Sequence, residues 1–201
     1  MRVIARDGVH EIEIQRSRFL CSVARVADEA AAAAFIAGVR KDHWSASHNC
    51  SAFRTDGTQR SSDDGEPAGT AGIPMLEVLL RRELTDTAVV VTRYFGGIKL
   101  GAGGLVRAYG RSVSEAVDAL GTRDRAAFAT FTITVGHTDA GKLQNALHSA
   151  GHRIAETAYT NQVTLTVHIP QTEAPTFHDW LATQSNGTAV AVQGPPITLD
   201  V

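Results

Sequence analysis

Thr92-Arg93-Tyr94-Phe95-Gly96-Gly97-Ile98-Lys99-Leu100-Gly101-Ala102-Gly103-Gly104 is the stretch on which the fold turns. Five of its thirteen residues are glycine. It joins an apolar, β-branched run, Ala88–Val91, to an amphipathic helical pattern that starts at Leu105. Glycine costs backbone entropy, so a loop this rich in it needs positive φ or close approach of another group. Arg93 stands at its entry, Lys99 lies inside it, and Arg107 and Arg111 follow on the helix. Free amides at a helix N-terminus beside cations form an anion-binding geometry. A tight strand-to-helix connection packed against its own domain would use the same residues, and both readings stay open.

A second dense segment lies upstream, Ser61-Ser62-Asp63-Asp64-Gly65-Glu66-Pro67-Ala68-Gly69-Thr70-Ala71-Gly72. Asp63, Asp64 and Glu66 supply enough oxygens for a hard cation such as magnesium. Asp and Thr side chains also bond nearby turn amides, so a self-capped loop is the competing expectation. The metal question is open at this point. His48 and Cys50 sit two apart on the preceding strand and share a face. An imidazole beside a thiol is the chemistry of an activated nucleophile. A zinc site from His43, His48 and Cys50 would have to recruit its fourth ligand from the acidic loop. Trp44 and Tyr94-Phe95 offer aromatic faces near the basic residues, where a base could stack.

Periodicity extends outward from these loops. Val9–Gln15 and Phe19–Val26 read as a hairpin turning at Gln15–Arg18. Asp28 can cap a helix over Glu29–Arg40 with Ala31, Phe35, Ile36 and Val39 on one face. Asn49–Arg54 reads as a strand, and Thr55–Gly72 as a polar loop. Pro74 suits the first turn of a helix with Leu76, Leu79, Leu80 and Leu84 inward. The Leu105–Leu120 helix places Val106, Tyr109, Val113, Val117 and Leu120 on one stripe, and Gly121 ends it.

Past a polar boundary at Thr122–Arg125 the pattern begins again. Phe131, Ile133 and Val135 alternate with polar residues as a strand. Thr138 or Asp139 caps a helix carrying Leu143 and Leu147, closed at Gly151. Ile154–Thr157 and Val163–Ile169 form a hairpin, Thr172 caps a helix with Phe177, Trp180 and Leu181, and Ala189–Val192 closes the run. This β-α-β-β-α-β order is the ferredoxin-like arrangement. Its five histidines, His137, His148, His152, His168 and His178, have no ligand spacing.

The 201 residues are 43% hydrophobic and 20% charged, an ordinary globular composition. No run approaches the length of a membrane span, and charges interrupt the N-terminus too early for a signal peptide. Cytoplasmic residence and no membrane partner are expected. Cys21 and Cys50 do not form a CxxC pair, and no disulfide is expected. The net charge of −2 divides into +1 for residues 1–125 and −3 for residues 126–201. RNA affinity is largely electrostatic, so the second part is not expected to touch phosphates.

The run Ser61–Leu80 followed by Val89–Gly110, with His48-Asn49-Cys50-Ser51-Ala52-Phe53 before it, resembles the signature of the YigZ/IMPACT family. The resemblance covers most of residues 1–125. It implies an α+β chain of two domains, 1–125 and 126–201. The first would be an α/β sandwich similar to the second domain of ribosomal protein S5. The second would resemble the ferredoxin-like domains of elongation factor G. Both likenesses point toward RNA or the ribosome. Eukaryotic IMPACT-like proteins inhibit activation of a stress kinase with help from an extra N-terminal interaction domain. This chain begins directly with the shared domain, so that role is not carried across.

The expectation is a binding protein without catalysis, linked to translation and requiring no cofactor. RNA, the ribosome or a nucleotide would meet Arg93, Lys99, Gly101, Gly103, Gly104, Arg107 and Arg111, faced by Asp63, Asp64, Glu66 and Thr70. His48, Cys50 and Tyr94 are further candidates. A magnesium-dependent small-molecule phosphotransferase is one alternative. A protein–protein regulator without nucleic-acid contact is the other. Oligomeric state is not specified by the sequence.

Overall fold

Alternation of apolar and polar residues near the N-terminus builds β1 (Arg2–Ile4), β2 (Gly8–Ile14) and β3 (Ser17–Arg25). In the computed structural model, which describes residues 1–201, β2 and β3 join at Gln15-Arg16. Both turn residues have positive φ, 47° and 65°, as in the primed hairpin turns that match strand twist. With β4 (His48–Thr55), β5 (Thr58–Ser62) and β6 (Thr87–Tyr94) they form a sheet ordered β2-β3-β6-β4-β5. Every pairing in it is antiparallel.

Successive side chains of a strand point to opposite faces, so the central strand β6 has two cores to fill. Val89 and Val91 join Phe19, Cys21 and Ala52 beneath α2 (Gly72–Arg81) and α3 (Gly101–Leu120). Ala88 and Phe53 turn the other way, against Ala32, Phe35 and Ile36 of α1 (Glu29–Asp42). Asp28 caps α1 by accepting from the Ala31 amide at 2.8 Å. One sheet between helix layers is therefore the frame of the first compact unit, Met1–Asp124.

The second unit, Arg125–Val201, has its own core. It contains most of β7 (Thr122–Val135), then α4 (His137–Ser149), β8 (Arg153–Tyr159) and β9 (Val163–Pro170). After these come α5 (Ala174–Ser185), β10 (Val190–Gln193) and β11 (Ile197–Asp200). The sheet order β10-β7-β9-β8, with β11 also on β7, is the ferredoxin-like one. Phe131, Ile133 and Leu165 pack against Leu147, Phe177 and Leu181. The first three residues of β7 pair with β1 inside the first unit.

Several sequence expectations are corrected. Thr55–Gly72 is not all loop, because β5 pairs with β4 as an edge strand. The helix expected from Leu105 begins at Gly101, so the last glycines are its first turn. Leu80 and Val106 are each 39% exposed, and Met75, Val78, Leu105 and Ala108 fill the core instead. Thr122–Arg125 is strand rather than boundary loop, and β11 lies beyond the last expected strand. Gly136 and Glu173, not Thr138, Asp139 or Thr172, occupy the N-cap positions of α4 and α5, without side-chain caps. No helix is long and apolar enough to cross a membrane.

Candidate functional site

Where β6 ends and α3 begins, the chain leaves a pocket of about 490 Å³. Ser47 and His48 line it from the start of β4, Glu66 and Pro67 from the acidic loop, and Arg93 from β6. Phe95, Lys99, Leu100, Gly101, Ala102 and Leu105 complete the wall, so the acidic and glycine-rich loops border the same space. Phe95 keeps 49% of its surface exposed. Leu100, the N-cap of α3, provides no side-chain cap, so the first amides of that helix have no side-chain partner at the cap.

An ion pair forms the floor. Arg93 Nη1 donates to Glu66 Oε1 at 2.7 Å, and the Tyr109 hydroxyl donates to the same oxygen at 2.8 Å. The side chains of Arg93 and Glu66 are only 6% and 4% exposed. Removing either partner would strand a buried charge, at a cost of about 3–5 kcal/mol. The Arg93 guanidinium also lies 5.5 Å from the Phe19 ring and 5.4 Å from the Phe95 ring, while its Nε finds no acceptor. Burial, and then the neighbouring Cys50 and Glu66, push the Tyr109 phenol above its ordinary range, so it remains a donor.

Asp63 is a structural residue. Its Oδ2 accepts from the Gly69 amide, and its Oδ1 from the amides of Ala71 and Gly72 at the start of α2. Burial raises the Asp63 carboxyl, but those three amides outweigh it and hold the group below its ordinary value. Asp64 accepts from the Asn49 amide at 2.7 Å and pairs with Arg40 at 3.1 Å. Thr70 donates to the Pro67 carbonyl at 2.6 Å. Of the carboxylates that could hold magnesium, Asp63 and Asp64 are thus fully engaged by the chain itself, in the manner of a self-capped loop. No group of three His, Cys, Asp or Glu side chains is arranged for a metal ion.

The nucleophile alternative at Cys50 finds no support. Cys50 is fully buried, and its thiol donates to the Asp63 carbonyl at 2.9 Å. Burial pushes its pKa up to about 12, which leaves no thiolate at neutral pH. His43 Nδ1 meets the Tyr94 hydroxyl at 2.9 Å, and Arg18 lies over the Tyr94 ring, so neither His43 nor Tyr94 enters the pocket wall.

The basic residues are not gathered in one place. Arg93 and Lys99 line the pocket. Arg107 and Arg111 line a different hollow, with Ile14, Gln15, Leu100, Gly104 and Ala108. Arg111 is further engaged by Glu115 at 2.6 Å. Gly101 lines the pocket, whereas Gly103 and Gly104 do not. Phe95 stands in the pocket wall as one of the aromatic faces read from the sequence, whereas Tyr109, which bonds to Glu66 at its floor, is not among the site candidates. Tyr109 was legible only as a core residue of the helical stripe, and its bond to Glu66 depends on tertiary packing.

Comparison with known proteins follows the same division of the chain. A family model described as the Impact N-terminal domain matches residues 15–117, and a domain of unknown function, DUF1949, matches residues 133–188. IMPACT family member YvyE of Bacillus subtilis is 45% identical over 194 residues, 95% of this chain and 89% of that protein. IMPACT family member YigZ of Escherichia coli is 37% identical over 181 residues, 88% of this chain and 89% of that one. A crystal structure of a hypothetical protein aligns with a TM-score of 0.61 at 34% identity, covering 95% of both chains.

Proposed function

This chain belongs to the IMPACT family, and from that premise we propose that it is a binding protein without catalysis, linked to translation, whose first unit takes single-stranded RNA. The observation that carries this reading is the company kept in one pocket. Half-exposed Phe95, Lys99 and the start of α3 all line it. A base stacks on an aromatic face regardless of its sequence. A cation and free helix amides hold the phosphate next to it. Arg93 contributes shape and a polar floor rather than net charge, because Glu66 neutralises it.

The phosphotransferase alternative lacks support, since Asp63 and Asp64 spend both oxygens on backbone amides and Arg40, and Glu66 gives Oε1 to Arg93 and Tyr109. The likeness to domains of ribosomal protein S5 and elongation factor G favours a role in translation.

Titration of the full chain with labelled single-stranded RNA tests the reading. With Lys99 and the α3 amides as the anchors, only one or two phosphates are neutralised. The slope of log K against log salt should therefore be shallow, roughly −0.7 to −1.4. Lys99→Ala and Phe95→Ala should each weaken binding about tenfold. No RNA binding at low salt overturns the reading and makes a protein partner the leading explanation of the pocket.

A further inference from the structure

One end of the pocket sets a ring nitrogen of His48 beside a carboxylate oxygen of Glu66. His48 Nδ1 lies 2.9 Å from the carbonyl oxygen of Asp64. A carbonyl only accepts, so Nδ1 carries a proton, and in the neutral tautomer this leaves Nε2 as an acceptor. Nε2 stands 3.8 Å from Glu66 Oε2. That distance is too long for a hydrogen bond. The other carboxylate oxygen, Oε1, is already taken by Arg93 and Tyr109. Neither of those two bonds reaches Oε2, and His48 and Glu66, with side chains 25% and 4% exposed, both line the pocket.

Two acceptors at this separation fit one group that carries two N–H bonds, with one hydrogen directed at each. We propose that His48 Nε2 and Glu66 Oε2 together read the exocyclic amine of a nucleobase lying on Phe95. The inference rests on the RNA-binding reading and adds to it a preference for bases that carry an amine. Pro67, Phe95, Leu100 and Leu105 give the same pocket apolar walls, which suit a flat ring rather than a bare ammonium group. Its volume of about 490 Å³ falls in the range of pockets that hold small molecules, about 300–1,000 Å³. Lys99 and the start of α3 line the same space, where the nucleotide's phosphate can be held. An amine-free base would leave both acceptors facing a carbonyl or a C–H bond, without a partner.

The test is equilibrium binding of mononucleotide pairs that differ by a single amine. GMP is compared with IMP, and AMP with purine riboside monophosphate, on the full chain. The amine-bearing member of at least one pair should bind about tenfold tighter, as expected for a hydrogen bond to a charged acceptor. His48→Phe should abolish that preference while affinity for the amine-free member stays the same. Lys99→Ala should weaken both members equally. Equal affinities within both pairs overturn the amine reading and leave the phosphate-binding reading standing. Binding of RNA without binding of any mononucleotide overturns the single-base pocket. A His48 ring found doubly protonated by nitrogen NMR in the nucleotide complex also overturns it, because the ring would then supply its own proton to Glu66.

Discussion

At the scale of single residues, the acidic loop is a device for building a turn, and Asp63 is its centre. Its carboxylate accepts three backbone amides. Asp63→Ala should cost about 2–3 kcal/mol of unfolding free energy at pH 7, since three donors lose a charged acceptor together. The pH dependence has a definite sign. The folded-state pKa lies below the ordinary value of 3.8, so this stabilisation is complete above that value. It is lost as pH falls below 3.8 through the folded value. Urea unfolding of both proteins should thus give a wide gap at neutral pH and a gap closing below pH 3.8. A gap that stays constant would mean that Asp63 acts through its shape alone. Asp63, Asp64 and Glu66 lie within four residues of sequence and yet have three fates: cap, strand anchor and buried ion pair. Nothing in the local string separates these fates, because Glu66 acquires its role from Arg93 and Tyr109, which reach it only in the folded chain.

At the scale of elements, the glycine-rich loop combines two constraints. A Cβ on Gly96 would come within 2.0 Å of the Arg16 carbonyl oxygen, a backbone atom that cannot step aside. Gly101 has φ of +69°, where a side chain would be strained, though no neighbour crowds it. Gly103 sits in the first turn of α3 with only Arg107 Nη1 nearby, at 3.6 Å. Gly96→Ala should therefore be strongly destabilising, by about 3 kcal/mol or more, in the range of severe core faults. Gly103→Ala should instead raise stability by about 0.5–1 kcal/mol. Thermal melts of the two variants check both signs. If both substitutions destabilise equally, the crowding at Gly96 is not what sets its identity. The same segment explains where element reading succeeds and where it fails. Long amphipathic runs such as Leu105–Leu120 are legible because their buried stripe repeats at the helical period. The first turn of α3 hides behind glycines that have poor helix propensity. β5, Thr-Gln-Arg-Ser-Ser, has no apolar alternation to betray it, because an edge strand with both faces partly wet needs none.

At the scale of the whole molecule, two cores stand on separate residue sets, and charge divides with them. Residues 125–201 carry Arg125, Lys142 and Arg153 against Asp139, Glu156, Glu173, Asp179 and Asp200. A fragment ending at Asp124 should keep the RNA affinity of the full chain, and a fragment beginning at Arg125 should have none. Gel-shift titration of both fragments checks this, and retention of binding by the second fragment would place the RNA surface outside the pocket. The sheet order of the first unit also says something about time. β6 lies between β3 and β4, both of which precede it in the chain. Until Tyr94 has been made, the β2–β3 and β4–β5 hairpins have no strand to join them. The helix that covers them is finished only at Leu120. At a synthesis rate of about 5–20 residues per second, roughly 5–20 s separate the end of β3 from the end of α3. Over most of that interval the emerging polypeptide offers first one and then two hairpins with open edges, and their apolar faces stay uncovered until its end. It is then that the chain is most exposed to whatever guards newborn proteins from one another.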